Sequence, residues 1–229
     1  MTKSQSNLWR ELKKRDFRVT IFGSARMKKG DQEYKEVYKL ARMVGERGID
    51  LITGGGPGIM EAASAGHKTG SKKTKAHTIG LNIKLPHEQR INPYVEIKKE
   101  FVRFSDRLDN FMLLSNAIVV AHGGIGTTLE LFYSWQLIQA KHICNIPIIL
   151  LGKQWAGLIN WLKNEPLKRG FFNKEELDLL FLAKNSREAI EIIDKTYEAY
   201  KKGNKNFCLN YKKYSFFLRK TRIIGLPND

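Results

Sequence analysis

The chain has 229 residues, 42% of them hydrophobic, and 40 Lys and Arg against 23 Asp and Glu give it a formal net charge of +17. That length suits one sizeable core, the apolar runs are too short to cross a membrane, and the polar start Met1-Thr2-Lys3-Ser4 lacks a secretory signal's apolar stretch, so the expectation is a cytoplasmic chain with no membrane partner. The basic excess attracts polyanions, but it is scattered over Lys13, Lys14, Lys72, Lys73, Lys212 and Lys213 without a nucleic-acid motif, so no specific nucleic-acid partner is expected.

Residues 1–16 read as a polar lead-in with a short helix around Leu8, Trp9 and Leu12. Phe17 to Phe22 alternates as a strand and delivers the small-residue turn Gly23-Ser24-Ala25-Arg26. Asp31 to Arg47 carries Tyr34, Val37, Tyr38, Ala41 and Val44 on one helical stripe, stopped by Gly48. Ile49 to Thr53 is a strand running into Gly54-Gly55-Gly56-Pro57-Gly58, where Pro57 suits a helix start, and Ile59, Met60, Ala62, Ala63 and Gly66 follow at helical spacing. A strand through His77 to Leu81 comes next, then a loop punctuated by Leu85-Pro86 and Asn92-Pro93, then a partly exposed strand over Val95 to Val102.

Phe104 to Asn116 reads as a helix with Phe104, Leu108, Phe111, Met112 and Ser115 on its apolar face and Arg103, Arg107 and Asp109 on or near the polar side. Ala117 to Val120 is a short buried strand that ends in the glycine turn of His122 to Gly126 and opens a helix with Leu131, Phe132, Trp135 and Ile138 on its buried face. Ile146 to Leu151 is a further strand, Trp155 to Leu162 a short helix, Leu179 to Ala183 a last strand, and Ser186 N-caps a closing helix that carries Ala189, Ile190, Ile193, Tyr197 and Tyr200. The basic, aromatic tail has no clear period and is either a docked arm or partly disordered. The organisation expected is a lead-in over 1–16, a single Rossmann-like nucleotide-binding domain over 17–202 and a tail over 203–229. Strands alternating with helices predict an α/β fold, a Rossmann-like, doubly wound, mainly parallel sheet with helices on both faces.

Two glycine turns at strand-to-helix junctions carry the functional reading. Glycines let backbone N–H groups approach an anion closely, and a helix's first turn leaves donors unpaired with a partial positive charge. Gly54, Gly55, Gly56 and Gly58 in one turn, and Gly123, Gly124, Gly126 and Thr127 in the other, are therefore candidate phosphate ligands, with Gly23 and Ser24 forming another ligand loop. Glu130 stands one helical turn beyond Thr127, near the cradle without touching the phosphate it would repel. The Gly54 turn is not a dinucleotide fingerprint, because Ile59 occupies the place of the last glycine, and neither turn supplies the lysine of a P-loop. The five histidines and two cysteines show no metal spacing, so no metal and no cofactor are expected, and Cys144 and Cys208 read as ordinary buried or semi-buried thiols.

Together these motifs resemble the Lonely Guy family of nucleoside 5'-monophosphate phosphoribohydrolases, long labelled lysine decarboxylases. The family's P-G-G-x-G-T-x-x-E stands here as His122-Gly123-Gly124-Ile125-Gly126-Thr127-Thr128-Leu129-Glu130, and the arginine of its R-K-x-x-M falls on Arg107. The turns at Gly23 and Gly54 look like those of the longer bacterial members. His122 replaces the proline, Leu108 the lysine, Phe111 the methionine and Leu129 the first of a commonly doubled glutamate. The resemblance implies a catalytic Glu130 and Arg107, AMP or a modified adenine nucleotide as substrate, and a homodimer or larger assembly in which Arg107 or a neighbour reaches toward a shared site. Cleaving an N-glycosidic bond builds positive charge on the ribose, and a carboxylate near C1' stabilises it while orienting water. Arg107 is open to three roles: fixing Glu130, contacting a ribose hydroxyl, or assisting the departing base. Lysine decarboxylation would need a Schiff-base lysine for pyridoxal phosphate, and no lysine stands in such a setting. The alternative is a carrier that binds a phosphate-bearing cofactor such as a molybdopterin without cleaving it.

Overall fold

The computed structural model describes residues 16–84 and 90–203. The expected lead-in helix, Pro86 and the tail beyond Gly203 lie outside the described residues.

Seven strands form one sheet: β1 (Arg18–Phe22), β2 (Asp50–Thr53), β3 (Thr78–Ile83), β4 (Ile97–Phe101), β5 (Ala117–Val120), β6 (Ile148–Leu151) and β7 (Leu180–Ala183). Their order is β4-β3-β2-β1-β5-β6-β7, and every pairing is parallel. The sheet expected as mainly parallel is wholly so among the described residues. Between strands run α1 (Gln32–Glu46), α2 (Ile59–Gly70), α3 (Phe104–Leu114), α4 (Ile125–Gln139), α5 (Gln154–Leu162) and the one-turn α6 (Lys174–Leu177), and α7 (Ser186–Lys201) follows β7.

Alternation along each strand divides the core into two layers. Phe22, Ile118 and Val120 join Phe111, Met112, Leu131 and Trp135 on the face covered by α3 and α4. Val19, Ile21, Ala117 and Val119 join Val37, Leu40, Ala62, Ile190 and Ile193 on the face covered by α1, α2 and α7. The edge strand β4 alternates between partly buried Ile97 and Lys99 and exposed Lys98 and Glu100, as its charges predict. A parallel sheet needs this double cover, because crossover helices must return over its faces.

The chain order reverses between β1 and β5. β1 continues to β2 on one side, whereas its other neighbour is reached only after three more strands. Loops leaving the carboxyl ends of these two strands diverge to opposite sides and leave a crevice, the usual ligand position of such sheets. Both β1 and β5 end in the turns singled out in the sequence.

Three local details differ from expectation. The cap of α7 is Asn185, one residue earlier than Ser186, and its side chain accepts from the N–H groups of Arg187 and Glu188. A short π-helical turn over Lys163–Leu167 and the one-turn α6, closed by a reciprocal Asn173 and Glu176 capping box, fall where no element was expected. Cys144 is disulfide-bonded and therefore not a free thiol, which corrects the reading of it as one.

Candidate active site

Each of the three turns at the crevice is fastened to the next by backbone. Ser24 N–H donates to the His122 carbonyl at 2.9 Å, and Ile59 N–H donates to the Ser24 carbonyl at 2.9 Å. The contacts are close enough to require glycine: a Cβ on Gly58, whose φ is +67°, would lie 2.4 Å from the Ser24 carbonyl oxygen, and one on Gly23 would lie 2.3 Å from the Ile59 side chain. Two of the glycines in the Gly54–Gly58 turn are held from behind by the buried Asn92, whose Nδ2 donates to the Gly55 and Gly56 carbonyls at 3.0 and 2.9 Å. Sequence reading missed Asn92. Its only signal was an Asn before Pro93, which marks a turn but not its partner.

A cavity of about 470 Å³ opens at this junction. Gly23, Ser24, Ala25, Arg26, Gly54, Met60, Phe104, Arg107, Gly124, Ile125, Gly126, Thr127 and Glu130 line it. Of the expected ligands, Gly23, Ser24, Gly54, Gly124, Gly126, Thr127, Arg107 and Glu130 therefore share one space. Gly55, Gly56, Gly58 and Gly123 do not line it; the first three build the fastening just described, and Gly123 packs against Thr127, where a Cβ would lie 2.1 Å from Oγ1.

The N-terminus of α4 supplies the donors. Its first intrahelical bond runs from Thr128 N–H to the Gly124 carbonyl at 2.9 Å, and its cap residue Gly124 has no side chain to fold back. The N–H groups of Ile125, Gly126 and Thr127 thus have no partner among the described residues. A Cβ on Gly124 or Gly126 would meet nothing within 4 Å. The fold itself does not demand glycine at either position; what their absent side chains keep open is cavity space next to free donors.

Arg107 and Glu130 meet across the cavity wall. Arg107 Nη1 lies 3.2 Å from Glu130 Oε1, and Arg107 Nε donates to the Leu81 carbonyl at 2.8 Å. Arg107 was expected on or near the polar side of its helix. It is instead buried, 8% exposed like Glu130, because it passes over Gly54, where a Cβ would lie 2.4 Å from Nη2. Burial pushes the Glu130 carboxyl up to about 7 against the opposing pull of Arg107, and burial likewise lowers Arg107. A carboxyl poised there exchanges a proton near neutrality, as an acid or base in water chemistry must.

The family described as "Possible lysine decarboxylase" matches residues 60–193, more than half of the chain and the part that carries Arg107 and the Gly123–Glu130 turn. The chain belongs to this family, the Lonely Guy family. Among curated relatives, the pyrimidine/purine nucleotide 5'-monophosphate nucleosidase of Escherichia coli (strain K12) is 28% identical over 130 residues, covering 53% of this chain and 28% of the relative. The matched stretch is thus under a third of that relative's length. Among solved structures, a molybdenum cofactor binding protein from Rippkaea orientalis superposes with a TM-score of 0.60 at 22% identity, covering 79% of this chain and 97% of that one. The molybdenum cofactor carrier protein of Chlamydomonas reinhardtii gives 0.59 at 23%, covering 80% and 99%. At such identities these two neighbours show a shared fold alone.

No helix among the described residues is long and apolar enough to cross a membrane, and no group of three His, Cys, Asp or Glu among them is placed to hold a metal.

Proposed function

We propose that this protein hydrolyses the N-glycosidic bond of a nucleoside 5'-monophosphate, AMP or a modified adenine nucleotide, to free base and ribose 5-phosphate. The observation that carries the reading is the sharing of one cavity by unpaired helix donors and a buried carboxylate held by a guanidinium. The 5'-phosphate sits on the N–H groups of Ile125, Gly126 and Thr127, assisted by the helix dipole, with Gly23, Ser24 and Gly54 forming the opposite wall. That grip, remote from the reacting bond, positions the ribose. Glu130, ionised, faces C1' and stabilises the positive charge that grows as the C1'–N bond opens and its electron pair leaves with the base. It then accepts a proton from the water whose oxygen bonds to C1' and gives a proton up to the departed base, which regenerates the carboxylate. Net, the water's hydroxyl ends on C1' and its proton on the base. Of the three roles open to Arg107, its 3.2 Å contact and buried course favour fixing Glu130.

The name of the Escherichia coli relative supports the substrate class. Lysine decarboxylation does not suit the cavity, because no lysine is among the residues lining it and a pyridoxal phosphate Schiff base needs one. The reading includes a homodimer or larger assembly, for which exposed Phe104 and Ile125 on the cavity wall and Leu129 on the same helix as Ile125 offer apolar surface.

Chromatographic detection of free base after incubation with a panel of nucleoside monophosphates tests the proposal. Release by the wild type, reduced at least about 100-fold in Glu130→Gln, is the expected result. Tight binding of a phosphate-bearing cofactor with no release of any base would establish a carrier instead, and salt-dependent DNA or RNA affinity surviving Glu130→Gln would point to a nucleic-acid binder.

A further inference from the structure

The turn between β6 and α5 reaches the glycine turn of α4 from outside the cavity. Gln154, the first residue of α5, lays its amide against one residue: Gly123 N–H donates to Gln154 Oε1 at 3.0 Å, and Gln154 Nε2 donates to the Gly123 carbonyl at 2.6 Å. A side-chain amide that occupies both backbone groups of a residue acts as a strand partner would, and it leaves the two adjoining peptides one orientation. A steric contact joins the same two turns. Gly152 has a φ of +102° and lies so close under the His122 ring that a Cβ on it would come within 2.1 Å of Cε1.

We propose that Gln154 is a positioning residue of the phosphate cradle: by pinning Gly123 it aims the free N–H groups of Ile125, Gly126 and Thr127 into the cavity. The inference rests on the phosphate site of the proposed function and adds the group that keeps that site preformed. Two adjacent glycines give this turn more conformational freedom than any other pair of residues would. His122, unlike the proline it replaces, does not restrict φ. The bond from Ser24 N–H holds the turn at the His122 carbonyl and leaves the Gly123 carbonyl unheld, so without Gln154 the peptide beyond Gly123 would order only when the ligand arrived, and that ordering cost weakens binding. Gln154 does not line the cavity, so its effect passes through Gly123 alone. The family motif ends at Glu130, and a lone Gln 31 residues beyond Gly123 carries no sequence signal; only the adjacency of β5 and β6 brings it there.

The test is calorimetric titration of the full chain with ribose 5-phosphate, together with steady-state base release from AMP. Gln154→Ala is expected to weaken ribose 5-phosphate binding about tenfold and raise KM similarly, with kcat changed less than about threefold, since two exposed hydrogen bonds are lost and no reacting group is touched. Gln154→Glu keeps the acceptor and loses the donor at neutral pH but regains an O–H donor when protonated. Its Kd relative to the wild type at the same pH should therefore recover as the pH falls from 7 to 4. Wild-type affinity in Gln154→Ala, or a Glu-variant ratio flat across pH, overturns the inference and leaves the phosphate site standing. Failure of the wild type to bind ribose 5-phosphate overturns both.

Discussion

At the scale of single residues, the site depends on two groups buried together. Glu130 is held neutral up to about pH 7 because desolvation outweighs the attraction of Arg107, while Arg107 keeps its reach by passing over a residue with no side chain. In the proposed mechanism base release needs the carboxylate, so its rate at saturating nucleotide is expected to rise with pH through about 7 and level off above it; a pH–kcat profile flat from 5 to 9 would remove Glu130 from the chemistry. Gly54→Ala inserts a Cβ 2.4 Å from Arg107 Nη2 and displaces the guanidinium. We expect kcat to fall at least about tenfold with a stability cost of about 1–3 kcal/mol, measured by base release and denaturant titration. Glu130 was legible in the sequence by its distance from the glycines. The depth of Arg107 was not, since helical periodicity placed it with charged neighbours and nothing local announced that Gly54, more than fifty residues earlier, would make room for it.

At the scale of elements, α4 is a core helix whose N-terminus we propose as the anion site, and the two demands conflict at Gly126. The residue lies inside the helix and a Cβ there meets nothing, so Gly126→Ala should raise thermal stability, by roughly 0.5 kcal/mol, through the better helix propensity of alanine. The same methyl enters the cavity beside the free N–H groups, so ribose 5-phosphate affinity should drop at least about tenfold. A melting curve and a titration on one preparation check both signs, and a variant that is stabilised with affinity intact would detach the phosphate from this helix. Strands and helices with strong periodicity were readable to within a residue or two, because burial on one or both faces writes itself into spacing. The Gly54–Gly58 turn was recognised as a turn but assigned wholly to the ligand. Gly55, Gly56 and Gly58 are spent on Asn92 and on the Ser24 turn, contacts between segments that share no sequence pattern.

At the scale of the whole molecule, the reversal of strand order between β1 and β5 determines where the cavity lies, and the two-layer core holds the turns that form it. The doubly wound class follows from alternating elements, but the specific strand order needed the structure, since sequence separation does not say on which side of β1 each later strand returns. Global stability should carry the signature of Glu130. Its carboxyl binds a proton up to about pH 7 in the folded chain and only to about 4.5 in the unfolded one. The folded state therefore holds more protons in that window, and the stabilisation present below 4.5 is lost as the pH rises through 7. Denaturant midpoints across that range should decline in the wild type and decline less in Glu130→Gln; parallel curves would contradict the burial assigned to this group. The most direct test of the account is a crystal structure with ribose 5-phosphate bound. It should show the phosphate on the N–H groups of Ile125, Gly126 and Thr127 and C1' facing the Glu130 carboxylate, whereas a phosphate seated elsewhere, or C1' turned away from Glu130, would contradict it.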